Sequence, residues 1–431
     1  MHIIERANYL HITTPVNILK SGQESRTFKQ VVRPRLLVIL NRFVIGGQST
    51  DTIPLLYQLS KRYHVKIIYG KKEADEIAPL FLLEQYPGLT MIEVPAMQRT
   101  LNPVTDVVAF RNIVKEIKAF KPDIVHTHGA KSGFLGRLAA RMCKVPVVVH
   151  TFHGHVFHSY FNRIISKAVV NTERLMASVT DAAIALSTSQ RNEIVNTFKV
   201  FPRMKVHVIP LGLEMKLAGS DARMNFRDGY GLPSHEVAVG IIGRIVAIKN
   251  HHHYLRIAKN LLDSGCNNCT FFIIGDGNLA AALQQYLDEN GTLYSTPHKP
   301  SAGAKVIFTS WLYDMPTVVA GLDIIALTSL NEGTPVSLIE AQMGGKPVIA
   351  YDVGGVADTF LDNVSGYLVP KGDIETFTQK LSQLIGNPQL RQDMGEQGKV
   401  YCTQKFSKVS EVNATDNLYI SLLAKRNLAT V

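Results

Sequence analysis

The chain is poor in cysteine, with four among 431 residues. That is too few to staple a fold of this size, so its stability must come from packed cores. Cys143 and Cys402 stand alone. Cys266 and Cys269 form a CxxC with no second pair to complete a zinc site. Long apolar runs are missing, and none approaches the ~18 residues that span a bilayer. The opening MHIIERANYLHITTPVNILKSG has neither the apolar core nor the small-residue cleavage site of a signal peptide. A reducing, cytoplasmic setting is the expectation. No fixed-period repeat appears. Acidic residues are scarce in the first half only. To Gly212 there are 28 Lys and Arg against 14 Asp and Glu, and beyond it 18 against 21. Such a basic half suits nucleic acid, anionic lipid or phosphorylated substrates. No helix-turn-helix pattern and no interleaving of aromatic with basic residues supports nucleic acid, which is not expected as a partner.

What is present is an alternation of short apolar runs with amphipathic ones, over a length that predicts two or three domains. Strands are predicted at Arg35–Leu40, Val65–Tyr69, Thr90–Val94, Asp123–His126, Pro146–His150, Asp181–Ser187 and Val206–Gly212. A second set follows at Val237–Gly243, Phe271–Ile274, Val306–Trp311, Asp323–Leu327 and Val348–Ala350. Helices fall between them, and the pattern predicts an α/β architecture of parallel sheets. Gly46 and Gly47 close the first strand and open a helix over Thr50–Tyr63, a turn able to cradle phosphate. Ser189 is the expected cap of the helix to Phe198. The stretch from His126 to His158 holds six of the fifteen histidines. Its spacing and its lack of carboxylates argue against a metal site. The helices Lys131–Lys144 and Tyr160–Met176 are basic on one side and apolar on the other. Such stripes are mostly core faces, and contact with anionic headgroups is the alternative.

The most informative stretch is ALTSLNEGTPVSLIEAQMGGKPVIAYDVGG, Ala326 to Gly355. A buried strand runs into a turn-rich loop, then a helix, then a second strand. Ligands of such sheets bind at the carboxyl ends of the strands, beside helix N-termini. Glu332 in the loop and Glu340 in the helix are two carboxylates, each able to accept hydrogen bonds from a vicinal diol. On their own, two such residues are more often a solvated loop and helix surface. Their neighbours alter that balance. Glu332-Gly333-Thr334-Pro335, Ser337-Leu338 and Glu340-Ala341, followed by Gly354-Gly355 and Asn363-Val364-Ser365-Gly366-Tyr367-Leu368-Val369-Pro370, resemble the donor-site signature of retaining glycosyltransferases of family four. Gly243-Arg244 with Lys249-Asn250-His251 is similar to that family's phosphate clamp, although Ile248 stands where an acidic residue is usual. Gly275-Asp276-Gly277 resembles its nucleotide-site turn. Ser310 replaces a usual glycine. HTHGAKSGFLGRLAARMCKVPVVVHTFHGHVFH resembles the acceptor domain of members that assemble bacterial polysaccharides.

The resemblance implies a GT-B fold, two Rossmann-like domains facing a central cleft. Residues 1–33 are polar and irregular and read as an N-terminal leader or short hairpin. The resemblance implies an acceptor domain over 34–212, a nucleotide-sugar domain over 213–408, and a last helix over 409–431 that crosses back to the first domain. The implied catalytic residues are His153, Arg244, Lys249 and Glu332. The implied donor contacts are Gly46, Gly47, Gly243, Asp276, Trp311, Leu312, Gly333, Thr334, Pro335, Val336, Ser337, Leu338 and Glu340. In this reading Glu332 meets the transferred sugar and Glu340 the ribose hydroxyls. Arg244 and Lys249 offset charge on the departing diphosphate. No metal or other cofactor is expected. The expected donor is a UDP- or GDP-linked hexose or N-acetylhexosamine. The expected acceptor is a saccharide on a polyprenyl diphosphate, reached from the inner face of the cytoplasmic membrane by peripheral contact. Rival readings on the same fold are a nucleotide-sugar 2-epimerase and a synthase with a soluble acceptor of the sucrose or trehalose type.

Overall fold

Two parallel sheets of seven strands each organise the chain in the computed structural model. It describes residues 33–74, 76–100, 102–154, 163–214 and 218–428. Apart from Arg33, the expected leader lies outside these residues, as do His155, His158 and the start of the helix expected from Tyr160. The first sheet comprises β1 (Arg35–Leu40), β2 (His64–Gly70), β3 (Thr90–Val94), β4 (Ile124–His128), β5 (Val147–Phe152), β6 (Ala182–Ala185) and β7 (Val206–Val208). The second comprises β8 (Val237–Ile242), β9 (Cys269–Ile274), β10 (Tyr294–Ser295), β11 (Val306–Ser310), β12 (Ile324–Leu327), β13 (Val348–Asp352) and β14 (Gly366–Pro370). Their orders are β3-β2-β1-β4-β5-β6-β7 and β10-β11-β9-β8-β12-β13-β14. Each sheet therefore reverses direction beside its first strand, which opens a crevice at the carboxyl ends. This is the GT-B architecture.

The first-half helices are α1 (Gly47–Leu59), α2 (Leu80–Gln85), α3 (Pro103–Phe120), α4 (Ala130–Met142), α5 (Arg163–Ala177) and α6 (Thr188–Asn192). The second-half helices are α7 (Ala222–Gly229), α8 (His251–Asp263), α9 (Ala280–Glu289), α10 (Met315–Gly321), α11 (Val336–Met343), α12 (Ile374–Gly386), α13 (Pro388–Lys405) and α14 (Lys408–Leu428). In β1 the side chains of Leu36, Val38 and Leu40 point into one core with α1 and α14, while Leu37 and Ile39 point into another with α3 and α4. Helices on both faces explain why this strand reads as continuous hydrophobic sequence rather than as alternation. The cap of α6 is Ser187, whose hydroxyl accepts from the Gln190 N–H at 3.1 Å, and not Ser189. The Ser189 N–H instead reaches Asp358 of the second half at 3.3 Å.

Helix α14 does cross back to the first sheet. Tyr419 lies in the core with α1, and its hydroxyl meets His126 Nδ1 at 2.6 Å. Asp416 accepts from Tyr63 at 2.7 Å and pairs with Arg62. At the start of α14, the fully buried Lys408 Nζ donates to Asp51 of α1 at 3.1 Å and to Glu411 at 2.6 Å. Glu411 also accepts from the Gly212 N–H at 3.0 Å, so one cation ties together α1, the linker and the last helix. Replacing that cation strands two carboxylates in a dry site. Lys408→Met is expected to cost about 3–5 kcal/mol, read as an earlier midpoint in urea unfolding, with Lys425→Met as an exposed control.

Candidate functional site

The cleft forms where the loops after the strands of one sheet meet those of the other. After β1 the chain turns through Gly46 into α1, and Gly46 takes a positive φ of 153°. A Cβ on Gly47 would come within 3.0 Å of Val336 Cγ2, so this turn lies directly against the start of α11. A Cβ on Gly333 would fall 2.4 Å from the His153 carbonyl oxygen. Only glycine permits this approach of the two backbones. Behind that loop, a Cβ on Gly354 would meet the Glu332 carbonyl at 2.0 Å and one on Gly355 the Gly333 carbonyl at 1.9 Å. The Gly355 N–H donates to the Glu332 carbonyl at 3.1 Å. The glycines of the motif are thus packing requirements of one loop.

A cavity of about 380 Å³ is lined from the first half by Val44, Ile45, Glu76 and Ile77. The second half contributes Arg244, Val246, Asp276, Gly277, Asn278 and Trp311. The volume lies in the usual range for a small-molecule site. Arg244 is half-exposed, with Nη1 3.9 Å from Glu76 Oε1, and Arg42 Nη1 holds the same oxygen at 2.8 Å. Gly243 keeps its φ of 148° at the end of β8, with the Lys249 side chain passing about 3.5 Å from where a Cβ would sit. Lys249 Nζ donates to Glu332 Oε1 at 2.6 Å, and Ser329 donates to the same oxygen at 2.6 Å. A wider hollow of about 750 Å³ lies beside the linker, near Arg223, Lys346 and Lys399, and shares none of these residues.

The expected residues therefore gather in neighbouring groups. Arg244, Asp276 and Trp311 line the cavity, Lys249 meets Glu332, Gly47 meets Val336, and Gly333 meets His153. Thr334 is half-buried and Pro335 caps α11. The backbone N–H of Leu338 donates to the Pro335 carbonyl at 3.2 Å, which leaves the N–H groups of Val336 and Ser337 at the open end of the helix. Leu312 packs against the core of the second sheet and is not among the cavity's walls. His251 is 3% exposed, and burial beside Lys249 pushes its imidazole down to about 4. Neither of its ring nitrogens has a partner among the described residues.

Two known families match the chain. Its residues 45–217 match Glycosyltransferase Family 4 and residues 223–401 match Glycosyl transferases group 1, so the two together run over most of its length. The chain belongs to the family-four glycosyltransferases. The UDP-Gal:α-D-GlcNAc-diphosphoundecaprenol α-1,3-galactosyltransferase of Escherichia coli is 28% identical over 336 residues, covering 77% of this chain and 84% of that one. The capsular polysaccharide biosynthesis glycosyltransferase CapM of Staphylococcus aureus is 24% identical over 350 residues, covering 79% and 87%. In fold, the transferase is similar to HepE of Anabaena, crystallised with UDP and glucose, with a TM-score of 0.74 at 17% identity over 90% of this chain and 100% of that one.

Several parts of this glycosyltransferase's cleft were not visible as motifs. His153 Nε2 shares a hydrogen bond with His128 Nδ1 at 2.7 Å, and the two rings stack. Desolvation holds both imidazoles below their ordinary range, so both are neutral at neutral pH. Glu76 and Arg42 come from loops without a family signature. The only available signal was position, since both follow strands at the carboxyl edge of the first sheet. Among the described residues no group of three or more His, Cys, Asp or Glu is placed to hold a metal ion.

Ser310 carries backbone strain and Glu340 an unmet carboxylate. Ser310, in place of the usual glycine, sits in the left-handed region at φ 59°, with its hydroxyl 3.3 Å from Asp276. Ser310→Gly should raise stability by up to about 1 kcal/mol in thermal unfolding, because the strain of a left-handed non-glycine residue is removed. Glu340 is half-buried and has no hydrogen bond or ion pair among the described residues, and burial pushes its carboxyl up to about 7. The expected role of Glu340 has ligand hydroxyls donating to its ionised form, and in that case nucleotide affinity should rise as pH climbs through about 7 and fall below it. In the ligand-free protein the sign is opposite. A raised carboxyl stabilises the fold below its unfolded pKa, and that contribution is lost as pH rises through the folded value. Calorimetric titrations with UDP across this range should show the slope in wild type and lose the Glu340 component in Glu340→Gln. The same variant should melt higher than wild type above neutral pH without nucleotide.

Proposed function

We propose that the enzyme transfers a hexose or N-acetylhexosamine, with retained anomeric configuration, from a nucleotide sugar to a saccharide carried on a polyprenyl diphosphate. Arg244, set in the cavity wall with Asp276 and Trp311 while Lys249 and Glu332 lie alongside, carries this reading. That arrangement offers a flat ring and backbone turn for a base, cations for a diphosphate, and carboxylates for hydroxyls. UDP is favoured over GDP because the Escherichia coli relative is named for UDP-galactose and HepE was crystallised with UDP. The same relative's name supplies the lipid diphosphate acceptor.

In the proposed reaction the bond between the sugar's anomeric carbon and the diphosphate oxygen breaks, and an acceptor hydroxyl bonds to that carbon from the same face. The hydroxyl proton passes to the departing phosphate. Arg244, Lys249 and the free N–H groups at the start of α11 face the charge that develops there. Lys249 exchanges Glu332 for phosphate when donor binds, which frees Glu332 to accept from the sugar hydroxyls. His153 lies on the opposite wall, where its remaining Nδ1 can bond a sugar oxygen. Two fixed cations suffice for the leaving group, so we propose that no divalent metal is required. The enzyme works from the inner face of the cytoplasmic membrane, in assembly of a surface polysaccharide.

The test is nucleoside diphosphate release from a panel of UDP- and GDP-sugars, with and without membrane lipid extract. Release from one donor, stimulated by extract and persisting in EDTA, is expected. Arg244→Ala should lower kcat by about 10²–10³-fold, and Glu340→Ala should raise the donor KM. Release of free sugar without any acceptor would instead indicate an epimerase or hydrolase. No release from any donor, with no nucleotide-dependent rise in Tm, would overturn the reading.

A further inference from the structure

We infer that the outer face of α3, α4 and α5 is a docking surface for anionic lipid headgroups. These helices lie side by side on the face of the first sheet away from α14. Their inner sides are core, but their outer sides do not read as an ordinary solvated surface. On α3, Val104, Val107 and Val108 are exposed, Val104 to 73%, and the same stripe continues into exposed Arg111, Lys115 and Lys118. Met142 of α4 is 54% exposed beside Arg141, and Leu175 of α5 is 64% exposed.

The charges on these helices are sorted by sign. Every carboxylate they carry is turned inward or sideways and neutralised. Asp106 pairs with Lys131 at 2.5 Å, Glu116 with Lys66 at 2.6 Å, and Glu173 with the buried Arg137 at 2.8 Å. Arg111, Lys115, Lys118 and Arg141 have no carboxylate partner among the described residues. Lys131 and Arg137, two of the cations on the basic side of α4, are structural. Lys131 also donates to the carbonyls of Gln98 and Thr100. The face owes its charge mainly to Arg111, Lys115 and Lys118 of α3.

A face with free cations and exposed valines suits a headgroup layer, where the cations meet phosphate and the short apolar side chains enter the acyl boundary. A nucleic acid would use the cations but give the valines no apolar environment. The placement is also useful. In a parallel sheet each helix starts at the carboxyl ends of the strands, so Val104, Val107 and Val108 lie at the cleft end of α3. A lipid-bound acceptor would enter there without leaving the bilayer. The choice of lipid over another polyanion rests in part on the acceptor proposed above. The experiment separates the two by reading binding without turnover.

The full-length protein is floated with phosphatidylcholine vesicles, with and without phosphatidylglycerol, and no donor or acceptor. Recovery with the anionic vesicles only, lowered by added salt, is expected. A combined Arg111→Glu, Lys115→Glu, Lys118→Glu variant should lose more than about tenfold in partition. A combined Val104→Ser, Val107→Ser, Val108→Ser variant should lose binding to a lesser degree, with donor consumption on a water-soluble acceptor unchanged. Equal recovery on neutral vesicles, or no effect of the charge reversals, would overturn the inference. So would binding to duplex DNA that ignores the valine changes and displaces the vesicles. If either combined variant loses its melting transition, the single changes Lys115→Glu and Val104→Ser carry the same test.

Discussion

The cleft depends on two backbones being allowed to touch. Gly333 meets the His153 carbonyl at a separation that no side chain could occupy, and a Cβ on Gly47 would press to 3.0 Å from the Val336 side chain. These contacts set how far the wall built on β5 stands from the wall built on α11. They hold because the second wall is itself rigid. Gly354 and Gly355 stack on the carbonyls of Glu332 and Gly333, and Lys249 and Ser329 fix the Glu332 side chain. An apolar cluster of Leu186, Leu211, Ile339, Cys402 and Phe406 closes behind them. Ile339 precedes Glu340 on the same helix, so the packing that joins the halves also aims that carboxylate.

The second support is electrostatic. Lys408 lies dry between Asp51 and Glu411, at the point where the linker passes and α14 begins. Such a buried arrangement contributes little net stability by itself, but it punishes any geometry that separates its members. It therefore specifies the return of α14 onto α1 more than it strengthens it. The Asp51 carboxylate is also the charge that raises the His153 imidazole against desolvation, which links the clasp to the cleft.

The cleft is left with chemistry that the protein does not complete. Glu340 has no donor among the described residues, Arg244 is only loosely held by Glu76, and the N–H groups of Val336 and Ser337 lie at the open end of α11. In the clasp Lys408, Asp51 and Glu411 answer one another, whereas Glu340 in this site is answered by no described residue. That contrast gives the arrangement its direction. It asks for hydroxyls, a diphosphate and a flat base, which are the parts of a nucleotide sugar.

Much of this was legible in the residues. Strand runs such as Leu36–Leu40 and Phe271–Ile274 are hydrophobic on every side chain because both faces are covered. The order of strands and helices therefore forecast parallel sheets, and the family resemblance set their number at two. Glu332, Glu340, Arg244 and Lys249 could be singled out because the motifs that carry them resemble those of family-four glycosyltransferases; by themselves they read as ordinary loop and helix polar residues. What the tertiary structure alone decided were contacts made across long separations. The pairing of Glu76 with Arg42 and Arg244, the hydrogen bond between His128 and His153, and the burial of His251 involve residues with no local signature. Lys131 and Arg137 show the same limit from the other side. Their helical stripe was visible, but which cation points inward depends on a carboxylate, Asp106 or Glu173, supplied by another helix. Local sequence fixes periodicity and chain reversal; only packing determines which polar group finds a partner and which is left for a ligand.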